Sequence, residues 1–170
     1  MITTPPTWAL ALTYWLHLFA TVAWVGSLAG VSLLVLPAMK RSLDSENQLV
    51  FIEAMQKRLE PIAWFSMSLL LATGLFQMSV NPHYDGFLST STQWSLAILV
   101  KHLLGIIMIV VSAIQTWEVI PAIRRAIVRS RKSNNAAEID SLRRREVLLL
   151  RTNFGLSLLI LLATAFARAS

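Results

Sequence analysis

Two histidines, His17 and His102, each lie inside a long apolar run. An ionisable imidazole is costly in such a run and marks a functional position by default. The first run opens near Trp8 and the second near Trp94, so the rings come nine and eight residues in. At helical rise that is about 12–14 Å from the start of each run. If both runs start from the same side of a membrane, the two rings share one depth, as a ligand held between two helices requires. One imidazole on each side suits the octahedral iron of a b-type haem. Imidazole also suits copper, and thioether sulfur suits Cu(I). Met78 and Met108 are then further metal candidates, with Met67 eleven residues before Met78 on one helix face. His83, between the second and third runs, is a lesser one. A plain packing role for the methionines, and a hydrogen bond to a neighbouring helix for each histidine, stand beside these readings.

Lys101 is the second unusual group. Either its long side chain snorkels back to the headgroups, or it is a counter-charge for an anion such as the propionates of a haem. Glu118 and Arg151, near the other ends of their runs, read as a structural ion pair or as separate snorkelling groups.

The elements that must position these residues follow from composition. The chain has 170 residues, 55% apolar and 14% charged, where soluble domains carry about a quarter charged residues. Four runs, Trp8–Leu36, Pro61–Val80, Trp94–Ile120 and Leu148–Ala167, each exceed or match the roughly 20 residues that cross a hydrocarbon core. Little is left for a soluble part, so residues 1–170 read as one membrane domain. The tail before Trp8 has no basic residue, and the run after it is far longer than the roughly 7–15 apolar residues of a signal peptide. The absence of cysteine excludes disulfides and thiolate metal sites.

The net charge of +6 has a membrane explanation. Lys40, Arg41, Lys57 and Arg58 lie between the first two runs. Arg124, Arg125, Arg129, Arg131, Lys132, Arg143, Arg144, Arg145 and Arg151 lie between or at the ends of the last two. The N-terminal tail and residues 81–93 carry no Lys or Arg. This is the positive-inside pattern, and it excludes nucleic acid as the partner. The expected fold is all-α: an integral four-helix bundle that crosses the membrane several times, with both termini outside.

Between the first two runs, Ser45-Glu-Asn-Gln48 fits a capping box, and Leu49, Ile52, Met55 and Leu59 recur at helical spacing. A short interfacial helix is expected there. The third run should continue as a basic helix to about Arg131, and the polar stretch that follows should separate it from the fourth. Gly26 and Gly30 make a small-xxx-small pattern for close helix contact. Gly105, one turn from His102, offers room for a ring. Trp8, Tyr84, Trp94 and Trp117 mark the span edges. No internal repeat stands out, and no nucleophile constellation, phosphate loop or carboxylate pair is visible.

The chain resembles the membrane domain of CopD-type copper-resistance proteins along nearly its whole length. The likeness rests on Trp15-Leu-His17, Ala23-Trp24-Val-Gly26 and Leu36-Pro37-Ala38 in span one. It continues with Arg58 and Leu71-Ala-Thr73-Gly74-Leu75 in span two, Trp94, Lys101 and Pro121 in span three, and Leu142-Arg-Arg-Arg before span four. The resemblance implies a four-helix membrane domain associated with copper uptake or handling. It also implies kinship to HemJ-type protoporphyrinogen oxidases, which are thought to use a haem. Phe51-Ile-Glu-Ala-Met55 with Arg58-Leu59 is similar to that group, in which the residues matched by His17 and Lys101 are linked to function. The chain lacks the extra helices and the Met/His-rich domain of longer CopD proteins. At the span-one exit, Pro37-Ala-Met-Lys40 replaces the HemJ segment.

Three readings therefore stand. One is a b-type haem on His17 and His102, with Lys101 near a propionate, passing electrons to a membrane or periplasmic redox partner. The second is copper handling through His17, His102 and Met78 or Met108. The third is an accessory subunit of a larger membrane complex. Porphyrinogen oxidation is the enzymatic reading that remains.

Overall fold

The computed structural model describes residues 5–130 and 136–169, which are almost wholly helical, with no strand among them. Arg131 and Lys132 lie outside the described residues. Pro6 stands directly before α1, Thr7–Ala29, where a missing N–H costs nothing. A π-helical turn, Gly30–Val35, leads into α2, Leu36–Ser42. The long α3 spans Ser45–Ser79, and α4 spans Gln93–Ile114. A second π turn, Gln115–Val119, joins α4 to α5, Ile120–Ser130. The chain closes with α6, Ala136–Ala169.

Four of these helical stretches are long and apolar enough to cross a membrane: Thr7–Ser42, Val50–Ser79, Gln93–Arg129 and Ala137–Ala169. Their outward faces carry large apolar side chains such as Leu18, Val22, Leu34, Leu103, Ile106 and Leu162. In lipid such a surface is matched to its solvent.

The two π turns have one cause. Pro37 and Pro121 each lack the N–H that would reach back four residues, and each ring crowds that carbonyl. The helix widens in the turn before each proline and then resumes. The sequences around them also match, Leu36-Pro-Ala-Met-Lys-Arg41 against Ile120-Pro-Ala-Ile-Arg-Arg125. The chain thus contains a short repeat that its apolar background conceals. Spans one and three end alike, each on a π turn, a proline and a basic pair.

The segment expected as a short interfacial helix is the first four turns of α3 rather than a separate element. The helix runs straight through Pro61. Its described cap is Asp44, whose carboxylate accepts from the Asn47 N–H at 3.1 Å; the Ser45 side chain lies outside the described residues. Gln48 adds a bond from its Nε2 to the Leu43 carbonyl, 2.7 Å.

Packing pairs α1 with α3 and α4 with α6; α1 also meets α6, and α3 meets α5. The pairs join at the bundle centre, where Trp24 of α1, Met67 of α3 and Met108 of α4 are buried together, flanked by Leu156 and Ile160 of α6. The start of α1 and the end of α6 lie at the end that carries the 80–92 connection, here the loop end. Arg168 of α6 sits over the Tyr14 ring of α1 at 5.5 Å, and Gln77 Nε2 donates to the Thr13 carbonyl at 3.2 Å. The opposite, basic end carries the ion pairs Arg124–Glu53 at 3.3 Å and Arg145–Glu118 at 2.8 Å. Glu118 therefore pairs with Arg145 and not with Arg151, because α6 extends well below its apolar run and brings an earlier turn level with Glu118.

The loop end is organised by Asp85. Its carboxylate accepts from the hydroxyls of Ser91, Ser89 and Ser95, and these bonds, Ser91's first, hold its carboxyl below the ordinary aspartate range. Thr92 caps α4 by accepting from the Ser95 N–H at 3.1 Å. A depressed carboxyl contributes stability that is present above its unfolded value and lost as pH falls through the folded one. The protection of amides in residues 85–95, measured against the intrinsic exchange rate at each pH, is therefore expected to fall on acidification, and Asp85→Asn should show the lower protection already at neutral pH. Trp94, at the start of α4, is buried, with the His83 ring of this loop 6.2 Å away.

Candidate functional site

His17 is half-buried on the α3-facing side of α1. Its Nδ1 lies 2.8 Å from Thr73 Oγ1. The one hydroxyl hydrogen of Thr73 goes to the Leu69 carbonyl, 2.6 Å away, so the threonine oxygen accepts and the His17 ring donates from Nδ1. That fixes the tautomer. A neutral ring held in this way keeps the lone pair of Nε2 unused.

Gly74, next along α3, lies under the same ring. A Cβ placed there would stand 3.5 Å from His17 Cε1, in ordinary contact. The glycine beneath a histidine is thus Gly74, on the partner helix. Gly105 has open space where its Cβ would be, and so do Gly26 and Gly30. The small-xxx-small pattern of span one does not mark a close helix approach here.

His102 is held differently. Its Nδ1 donates to the Ile98 carbonyl one turn back on α4, at 2.7 Å. A carbonyl can only accept, so this ring also carries its proton on Nδ1 and leaves Nε2 free. Phe87, from the loop, meets the ring edge-on at 5.0 Å. Metal-bound histidines characteristically give the second ring N–H to a carbonyl or another acceptor in this manner. The two rings therefore share one protonation pattern, reached by different local means. Among the described residues no hydrogen bond or ring contact joins them directly.

Their heights agree when counted from the basic end as well. His17 is twenty residues before Pro37 and His102 nineteen before Pro121, about 28–30 Å of helix in each case.

Lys101 is half-buried and lies within electrostatic reach of both His17 and Arg168. Among the described residues it has no carboxylate partner. His17 thus has a cationic neighbour in Lys101 of α4, which itself lies near Arg168 of α6. Such surroundings suit an anion.

Of the methionines, Met108 is buried beside Met67 and Trp24 at the bundle centre. Met78 is also buried but belongs to the last turn of α3, apart from that cluster. The pair that the fold brings together is therefore Met67 with Met108. A cavity of about 60 Å³ opens beside them, lined by Trp24, Met67, Gln56, Ser112, Gln115 and Asn153 among others, and neither histidine borders it. The described residues hold no group of three or more His, Asp or Glu suited to a metal ion.

Sequence reasoning missed two parts of this arrangement. Thr73 was visible only as part of an apolar motif, and its role depends on α3 lying against α1. The polar wall of the cavity, with Gln56, Ser112 and Asn153, is contributed by three different helices.

No curated protein and no solved structure matches the chain. The family model for copper resistance protein D matches residues 53–167. That range takes in Thr73, Gly74, Lys101 and His102 and begins after His17. The match covers more than half of the chain and three of its four spans, and on this ground the protein belongs to the copper resistance protein D (CopD) family.

Proposed function

We propose that the protein handles copper in the bacterial inner membrane, with His17 and His102 offering Nε2 lone pairs to the ion. The observation that carries this is the matched ring state: both Nδ1–H groups are spent on fixed acceptors, Thr73 Oγ1 and the Ile98 carbonyl. Membership of a copper resistance family supports copper as that ion. Met67 and Met108 would offer a thioether step deeper in the bundle, since Cu(I) accepts soft sulfur ligands. Met78, buried at the loop end, remains a candidate for the first such step. The topology proposed with this function puts the loop end and both termini outside, because the basic pairs crowd the opposite end. The chain acts as one membrane domain.

A second reading is favoured by Lys101. A lysine beside His17, with Arg168 beside that lysine, is the wrong sign to hold a cation and the right sign for the propionates of a b-type haem. The donor set fits haem iron, and a bound haem would supply one-electron transfer to a membrane or periplasmic partner. Copper asks less of the packing, because an ion needs only the ring nitrogens. A haem also needs a slot of macrocycle width between α1 and α4, and the cavity described above lies elsewhere.

One preparation decides between them. Detergent-purified protein is expected to contain copper by elemental analysis after loading with Cu(I), and to show no Soret band. A coloured preparation with sharp α bands on reduction would replace the copper reading with the haem one. Absence of both metal and colour, with a co-purifying membrane protein, would leave an accessory subunit.

A further inference from the structure

The buried face of α6 is polar where a membrane helix is usually small or apolar. Glu146, Leu150, Asn153 and Ser157 follow one another at spacings of four, three and four, which is one helical face, and all four are buried. Glu146 is only 1% exposed and Asn153 2%. Gln56 Nε2 donates to Glu146 Oε1 at 2.8 Å, while Glu146 Oε2 has no partner. Asn153 Nδ2 donates to Ser112 Oγ at 3.0 Å, while its Oδ1 has none. Both orphan atoms accept hydrogen bonds, so what they lack is a donor or a cation.

Two spaces meet at this seam. Asn153, Ser112 and Gln56 line the central cavity. Glu146 and Gln56 line a smaller pocket toward the basic end, together with Glu53 of α3 and Arg124 of α5. Gln56 is the wall common to both. The charged groups around Glu146 are already engaged. Arg124 pairs with Glu53. On α6 itself, Arg145 pairs with Glu118, and Arg143 bonds Gln48 and Asp140. Among the described residues no cation is bonded to the Glu146 carboxyl. An ionised carboxylate buried without a counter-charge is strongly disfavoured, and the smallest cation that relieves it is a proton.

We propose that Glu146 is an exchangeable proton-binding site of the basic end, reached through the Glu53–Arg124 pocket and joined by Gln56 to the central cavity. A proton on Oε2 neutralises the carboxyl and turns its orphan acceptor into a donor. The Gln56 amide keeps its bond to Oε1 in either state, so proton exchange requires no rearrangement of the helices. The site stands independently of what the histidines hold.

Dicyclohexylcarbodiimide, which attacks protonated carboxyls in apolar surroundings, tests this on the full-length protein in membranes. Peptide mass spectrometry is expected to find Glu146 modified at neutral pH, ahead of Glu118 and Glu60. Its rate should fall about tenfold per pH unit once the carboxyl begins to ionise. Glu146→Gln should lose that modification and retain the Gln56 contact and the thermal stability. If the variant fails to accumulate, labelling of the unsubstituted protein still decides. An unmodified Glu146 beside a modified Glu118 would overturn the proposal, as would a rate indifferent to pH. Protection by sodium or lithium at constant pH would also overturn it, by showing that an alkali cation takes the place assigned to the proton.

Discussion

Replacing His17 with alanine is expected to lower the affinity of the purified protein for Cu(I) by at least about 100-fold, more than the loss of an outer-shell partner costs a metal site. The substitution removes one of two ring nitrogens and leaves His102 alone. A competition titration with a Cu(I) chelator reads the change directly. Thr73→Val separates the ligand from its support. Valine keeps the shape but cannot accept from Nδ1, so the His17 ring is free to turn over or to carry its proton on Nε2. An affinity loss of about 10–100-fold is expected, with the helix pair α1–α3 intact by thermal melting. Gly74→Ala is the matching control, because its Cβ meets the ring at an ordinary 3.5 Å and should leave binding near that of the parent. A His17→Ala protein that binds Cu(I) as the parent does would remove the histidine from the copper site. If the preparation is a haem protein, the same three variants should order the Soret intensity in the same way.

The four spans and the charge asymmetry were legible in the sequence because both are properties of composition over twenty-residue windows, which packing does not alter. His17, His102 and Lys101 were legible because a polar group in an apolar run needs no partner to stand out. Thr73 and Gly74 were different. Their roles exist only because α3 lies against that face of α1, and intra-helix spacing pointed to Gly105 instead. Glu146 was hidden in another way. It follows Arg143-Arg144-Arg145 directly and so reads as one more charge in an interfacial stretch. What distinguishes it is its face, and the seven-residue step to Asn153, followed by four to Ser157, was available as a signal. The Glu118 pairing failed for want of register. Apolar limits place the edge of α6 near Leu148, whereas the helix itself starts twelve residues earlier and offers Arg145 at the level where Arg151 was expected.

Trp24→Ala should be the most damaging substitution in the bundle centre. The indole is 4% exposed and meets Met67 and Met108, which joins the α1–α3 pair to the α4–α6 pair at the bundle centre. Tryptophan-to-alanine changes in protein cores cost about 3–5 kcal/mol. The lower end, about 3 kcal/mol, is expected here, because inside a membrane the lost quantity is packing contact rather than transfer from water. For a chain of this size that corresponds to a fall in melting temperature of roughly 6–12 °C. The cavity that already borders Trp24 would enlarge and admit water or detergent, and Asn153 and Ser112 on its polar wall would hold it. Leu18→Ala, on the lipid-facing side of the same helix, removes a large side chain without touching the seam and should leave the melting temperature nearly unchanged. Equal melting of the two variants would mean that the pairs are held together somewhere other than at Trp24.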